Sequence, residues 1–181
     1  MLTIIAIVVG VPVAIVLVLA ATKPDSFRME RSATIDAPPE RIFPMLNDFR
    51  RWGEWSPWEK LDPAMRRTFG GPEPGVGSTY EWEGNSKAGK GRMQITESQP
   101  SSRVVLDLDF IKPFKSHNVT QFDLAPNGAA TNITWSMHGP NTFMTKVMTV
   151  FTSMDKLVGK DFDQGLLNLQ AAATDSSAAS R

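Results

Sequence analysis

Few residues of this sequence have the types that nucleophilic or metal-assisted catalysis requires. The 181-residue chain has no cysteine and only two histidines, His117 and His138. Thiolate nucleophiles, disulfides and zinc–thiolate sites are therefore excluded, and a single pair of histidines is weak support for a metal site. Strand alternation predicts that both histidines face outward, which leaves little support for a histidine general base. We expect no catalytic residue, no metal ligand set and no cofactor.

A small set of polar residues is predicted to lie on the inward, apolar side of the chain. Each lies on the same side of a predicted strand, or on the same face of the predicted helix, as its apolar neighbours. They are Arg31, Arg67, Asn118, Thr120 and Asp161. An arginine paired with Asp161 could orient the polar group of a ligand or anchor a helix, and the structural pair is favoured. Asp161, Arg67 and Tyr80 are the groups that an enzyme built on this side would use.

Tryptophan is concentrated in one short stretch of the sequence. Three of the five tryptophans lie in RWGEWSPW, at Trp52, Trp55 and Trp58. Two interpretations remain open. The rings could close one end of the core, where they bury a large area at low cost in side-chain entropy, or they could form the wall of an apolar pocket.

Alternating strands and one long helix must position these residues. Seven segments between Phe27 and His138 alternate apolar and polar residues, and short turns join most of them, as in antiparallel sheets. From Phe143 to Gln170 an apolar stripe recurs at helical spacing without proline, which predicts an amphipathic helix roughly 40 Å long. Gly165 within it either allows a close strand approach or marks fraying. We predict an α+β fold, with a curved antiparallel sheet of about seven strands wrapped on the long C-terminal helix.

The N-terminal segment is strongly apolar. Leu2 to Ala21 is twenty residues without a charge, a length that matches the hydrocarbon core of a bilayer, and a cleaved signal peptide would have a positive start and a shorter run. We predict a transmembrane anchor at 1–22, a tether at 23–26, a folded domain at 27–170 and a disordered tail at 171–181. Because Lys23, Arg28 and Arg31 all follow the span, the expected localisation is single-pass membrane with a cytoplasmic domain.

Several short motifs carry a resemblance to a known family. In chain order they are residues 35–40, 52–58, 75–82, 89–93, 131 with 135, and 161–169. Together they resemble the START-like (SRPBCC) superfamily, whose helix-grip fold wraps a sheet around a long helix, and within it the polyketide cyclase/dehydrase-like branch. The resemblance covers roughly residues 27–170 and implies a cavity between sheet and helix that accepts a hydrophobic molecule. Such proteins carry lipids or hormones, bind secondary metabolites or cyclise polyketides.

We therefore expect a membrane-tethered domain that binds a small hydrophobic ligand or lipid. Two alternatives remain: a cyclase- or hydratase-type enzyme that uses the same cavity, and a protein-interaction module with a filled core. Because Lys+Arg and Asp+Glu both number 19, no net charge favours nucleic acid as a partner. The residues expected to contact the ligand are Trp55, Trp58, Arg67, Tyr80, Trp82, Met93, Leu106, Leu108, Asn118, Thr120, Trp135, Met154 and Asp161. The sequence does not predict an oligomeric state.

Overall fold

The elements follow one another in the order that the alternation predicts. The computed structural model describes residues 2–72 and 74–175, and side chains from residue 10 onward. Helix α1 and strand β1 come first, and two 3₁₀ helices separate helix α2 from strand β2. The bounds are α1 Leu2–Ala21, β1 Ser26–Ile35, α2 Pro39–Asn47, 3₁₀ helices Phe49–Glu54 and Pro57–Lys60, β2 Arg66–Gly70, β3 Thr79–Glu83, β4 Lys90–Gln99, β5 Arg103–Lys112, β6 Ser116–Asn127, β7 Ala130–Pro140, α3 Phe143–Phe151 and α4 Met154–Thr174.

The seven strands form one antiparallel sheet in the order β1-β7-β6-β5-β4-β3-β2. Strands β2 to β7 therefore pair in chain order, and β1 closes the far edge against β7. Two register irregularities between β4 and β5, at Lys90/Gly91 and Ile95/Glu97, act as bulges that bend a sheet locally. The predicted sheet is confirmed.

Helix α4 packs on the core side of this sheet, against β1 and the two 3₁₀ helices. Its buried side is carried by Phe162, Leu166, Leu169 and Ala173, which are spaced by three and four residues. That spacing places them on one face of a helix, so their apolar area leaves water together. Helix α2 packs against β5 and β6 and closes one end of the core.

The C-terminal helical region differs from the prediction in one respect: it is two helices. Helix α3 ends at Phe151, and α4 begins after Ser153, whose side chain accepts a hydrogen bond from the Lys156 backbone N–H at 3.2 Å. A serine that caps a helix in this way has non-helical backbone angles and therefore interrupts a continuous helix. Helix α4 continues to Thr174, through the first residues of the expected tail, and residues 176–181 lie outside the described part of the chain.

The prediction of a membrane-spanning N-terminal helix was wrong. Within the part of the chain that the structure describes, no helix combines the length and apolar character needed to cross a bilayer. Helix α1 lies against α3, so the apolar run that predicted a span lies beside another helix of the same chain. The anchor at 1–22, the single-pass localisation and the cytoplasmic placement that depended on it are corrected accordingly.

Candidate functional site

A cavity of about 330 Å³ lies between the sheet and α4. Strands β3 to β7 form one wall, and α4 with the segment from Trp52 to Met65 forms the other. This volume is at the lower end of the range of about 300–1,000 Å³ that is usual for small-molecule pockets. Nine of the thirteen predicted contact residues line it, namely Trp58, Tyr80, Trp82, Met93, Leu106, Leu108, Thr120, Trp135 and Asp161.

The other four predicted residues lie elsewhere. Trp55 is fully buried in the core, where its indole N–H donates to the Met45 carbonyl oxygen of α2 at 3.0 Å. Asn118 is buried in β6 and Met154 is the first residue of α4, and neither lines the cavity. Arg67 does not line the cavity either, and it forms an ion pair with Glu59.

The tryptophan-rich stretch fulfils both interpretations that the sequence left open. Trp52 and Trp55 are buried, and their rings pack 4.9 Å apart at the end of the core that α2 closes. Trp52 also lines the cavity. Trp58 lines it too, with its ring edge-on to Trp135 and to Phe162 at 5.7 and 6.0 Å. The three tryptophan rings therefore belong partly to the core and partly to the cavity wall.

The aromatic wall depends on a close contact between β7 and α4. Trp135 of β7 stacks on Phe162 of α4, with ring centroids 4.1 Å apart and planes tilted by 21°. Gly165, one turn after Phe162, leaves room for this stack: a Cβ there would lie 2.7 Å from the Trp135 ring. Gly165 therefore allows a close strand approach, and α4 runs on beyond it.

One corner of the cavity is polar, and a residue that sequence reasoning missed is at its centre. Glu59 lines the cavity with its side chain only 12% exposed. Its Oε1 accepts a hydrogen bond from the Tyr80 hydroxyl at 2.6 Å, and its Oε2 accepts one from Arg67 Nε at 2.7 Å. The remaining two nitrogens of Arg67 donate to the carbonyl oxygens of Glu59 and Met65, each at 2.8 Å. We call Glu59, Arg67 and Tyr80 the polar corner.

Electrostatics hold both donors of the polar corner in their protonated forms. Burial raises the pKa of the Tyr80 phenol well above its usual range, and the hydrogen bond to the neighbouring Glu59 carboxylate raises it further. The same carboxylate raises the pKa of Arg67 through its hydrogen bond. At neutral pH the phenol is therefore neutral and the guanidinium is a cation, and both donate to the Glu59 side chain between them.

The sequence feature that could have predicted Glu59 is Arg67, an arginine on the inward side of its strand. Arg67 alternates with Phe69 on the inner side of β2, and a guanidinium there requires a counter-charge. Glu59 is a carboxylate eight residues earlier, but it lies in a 3₁₀ helix that has no strand parity to place it. Residues in irregular segments escape the periodicity that located the strand residues.

The expected arginine–Asp161 pair does not form. Arg31 binds Asp155 and Asp163 on α4 instead, the latter at 2.9 Å from Nε to Oδ1, and so ties β1 to the helix. Within the described residues Asp161 has no ion pair or side-chain hydrogen bond, and it lines the cavity together with Lys87 of the β3–β4 turn. Lys87 is exposed, so this part of the cavity lining reaches solvent.

A sequence model of the family described as polyketide cyclase/dehydrase and lipid transport matches residues 26–174. The chain belongs to this family. The match covers all of the sheet and α4, so the resemblance found in the sequence motifs is confirmed. No curated protein matches the chain.

Several solved structures share the fold over most of their length. Protein CV1439 from Chromobacterium violaceum is 18% identical with a TM-score of 0.58, and the alignment covers 85% of this chain and 100% of that one. MLL2253 from Mesorhizobium loti is 17% identical with a TM-score of 0.60, over 82% of this chain and 99% of that one. Mll3558 from Rhizobium loti is 19% identical with a TM-score of 0.58, over 82% and 96%. At such identities the likeness concerns the fold.

Proposed function

We propose that this protein binds a small hydrophobic molecule, such as a lipid, in the cavity between the sheet and α4. The observation that carries the proposal is the cavity itself, which is walled mainly by aromatic and aliphatic side chains and opens on one side. Its volume of about 330 Å³ lies in the range usual for small-molecule pockets, so it can take a molecule of two or three aromatic rings or a short acyl chain. Transfer of such a molecule from water to an apolar wall is favourable in proportion to the apolar area buried.

The open cavity also weighs against the protein-interaction alternative. That alternative requires a core filled by side chains, whereas here the space between β3–β7 and α4 is unfilled. Family membership points in the same direction, because the family description includes lipid transport. A hydrophobic ligand is the occupant that fits both observations.

A cyclase- or hydratase-type enzyme is a second candidate, favoured by the polar corner. Glu59 and Tyr80 both face the cavity and share a 2.6 Å hydrogen bond, so two polar groups converge where general acid–base catalysis would need them. The test is incubation of the purified protein with a linear poly-β-ketone thioester, with mass spectrometry to detect loss of water. Product formation that disappears in Glu59→Gln would establish this candidate.

The binding proposal is tested with a fluorescent hydrophobic probe and a cavity-filling variant. N-phenyl-1-naphthylamine is neutral and fluoresces strongly only in an apolar environment, so titration of the full chain should give saturable enhancement. Met93 and Gln94 are adjacent on β4 but face opposite sides of the sheet, and only Met93 lines the cavity. We expect Met93→Trp to weaken probe binding at least tenfold and Gln94→Trp to leave it unchanged.

Equal binding by both variants would place the probe outside the cavity and contradict the proposal. Native mass spectrometry of the protein as purified provides the complementary measurement. A co-purifying molecule of low mass, retained by Gln94→Trp and lost from Met93→Trp, would identify the class of natural ligand.

A further inference from the structure

We propose that the polar corner selects hydrophobic ligands that carry a neutral hydrogen-bond donor, such as a hydroxyl group, and rejects ligands with a carboxylate at that end. This inference rests on the proposed function, because it specifies which hydrophobic molecules the cavity takes. It follows from counting the hydrogen-bond donors and acceptors that remain free at Glu59 and Tyr80.

The hydrogen-bonding groups that remain unused at the polar corner are acceptors. A carboxylate offers about four lone-pair sites. Glu59 uses one on each oxygen, for the Tyr80 hydroxyl and for Arg67 Nε. The phenol oxygen of Tyr80 has given its single proton to Glu59, so only its lone pairs remain. Both residues line the cavity, and both can accept a further bond from a ligand.

Donors at the corner are directed away from the cavity. Each guanidinium nitrogen of Arg67 donates one hydrogen bond to a protein acceptor, and Arg67 does not line the cavity. Trp135 lines the cavity, but its Nε1 is fully covered and has no partner among the described residues. A ligand group that reaches the corner therefore meets acceptors and no free donor from these residues.

Charge strengthens the selection. The Arg67 cation lies behind Glu59, so the side of the carboxylate that faces the cavity is negative. Electrostatic interactions between groups at short range are much stronger in a low-dielectric site than in water. A ligand carboxylate would be repelled there, whereas a ligand hydroxyl would make a charge-assisted hydrogen bond, which is shorter and stronger than a neutral one.

A matched ligand series tests the inference on the unmodified full chain. The four probes share the naphthalene ring: 2-naphthol donates, 2-methoxynaphthalene only accepts, 2-methylnaphthalene does neither, and 2-naphthoate is an anion. Isothermal titration calorimetry at pH 7 should show 2-naphthol binding at least tenfold more tightly than the methyl and methoxy compounds. The naphthoate should bind more weakly than 2-naphthol, even though Lys87, a cation, also lines the cavity.

The outcomes separate this inference from the function on which it rests. Equal affinities for the four compounds, or tighter binding of the methoxy compound or of naphthoate, would overturn the selection and leave a hydrophobic cavity. If none of the four bind, and N-phenyl-1-naphthylamine also fails to bind, the proposed function and the inference are both overturned.

Variants assign the selection to Glu59. Glu59→Gln should reduce the advantage of 2-naphthol over 2-methylnaphthalene to less than threefold and should improve binding of naphthoate. The matched control is Glu54→Gln, because Glu54 pairs with Arg51 in the neighbouring 3₁₀ helix and does not line the cavity. Retained binding of 2-methylnaphthalene by Glu59→Gln reports that the cavity is intact.

A second variant decides the question if Glu59→Gln does not fold. Tyr80→Phe removes one of the two acceptors but leaves the Glu59 carboxylate paired with Arg67, so the preference for 2-naphthol over 2-methylnaphthalene should be reduced and not abolished. Loss of that preference in Tyr80→Phe would assign the selection to the phenol and overturn the role given to Glu59.

Discussion

The single tyrosine of the chain gives a direct readout of the cavity's electrostatics. Tyr80 is 2% exposed and its hydroxyl donates to Glu59, and burial and that carboxylate both raise its pKa above the ordinary 10.0. Because no other tyrosine is present, tyrosinate absorbance follows this one group. We expect the absorbance of the folded protein to titrate at higher pH than that of the urea-unfolded chain. A folded midpoint at or below the unfolded one would contradict the buried hydrogen bond.

The same pKa shift predicts how stability depends on pH. The folded state keeps the phenol proton at pH values where the unfolded chain has already released it. The contribution of Tyr80 is therefore complete below the unfolded pKa near 10.0 and is lost as the pH rises above it. Urea unfolding at a series of alkaline pH values should show a decline for the wild type that is smaller in Tyr80→Phe.

The Glu59–Arg67 ion pair should contribute more to stability than an exposed pair nearby. Glu59 and Arg67 are 12% and 29% exposed, so Arg67→Met leaves a mostly buried carboxylate without its cation. We expect a loss of about 2–3 kcal/mol in the free energy of unfolding, measured by urea denaturation. The control is Arg51→Met, which breaks a more exposed pair with Glu54 and should cost less than about 1 kcal/mol. Similar costs for both variants would mean that the polar corner is solvated.

Among the secondary-structure elements, those with a periodic pattern were predicted from the sequence, whereas a helix boundary set by a cap was not. All seven strands follow from alternation, because each has one face against the core and a shift by one residue would expose that face. The break between α3 and α4 depends on one side-chain contact of Ser153, which no apolar period records. Glu59 escaped prediction for a similar reason, because its orientation is set by a short 3₁₀ helix after Pro57.

Gly165 shows how a local preference is overridden by packing between elements. In an isolated helix, alanine is more favourable than glycine by about 1 kcal/mol. Here a Cβ would lie 2.7 Å from the Trp135 ring, which is held by its stack on Phe162. Overpacking of this kind costs roughly 1–3 kcal/mol, so Gly165→Ala should be destabilising on balance in urea unfolding. Leu167→Ala, at a 61% exposed position of α4, should change stability by less than about 0.5 kcal/mol.

For the whole molecule, the apolar composition of a segment did not predict which part of the fold lies against it. The sequence Leu2–Ala21 matched a membrane span in length, yet the helix it forms lies beside α3. The inward faces of β3–β7 were predicted to be mainly apolar, and seven of the predicted contact residues on these strands do line one cavity. The difference is that strand alternation specifies a face, whereas a uniformly apolar helix specifies none.

Because the cavity wall combines several strands, a 3₁₀ helix and α4, a bound ligand should stabilise the fold as a whole. The unfolded chain has no such cavity, so ligand at about a hundred times its Kd should add roughly 2.7 kcal/mol to the free energy of unfolding. For a chain of this size, that corresponds to a rise in Tm of about 5–10 °C. Thermal unfolding followed by circular dichroism, with N-phenyl-1-naphthylamine as ligand, should show this rise as one cooperative shift in the wild type and in Gln94→Trp. Met93→Trp, which should bind the probe at least tenfold more weakly, should show at most about half of that rise at the same probe concentration. An equal rise in all three proteins would mean that the probe stabilises the fold from another site.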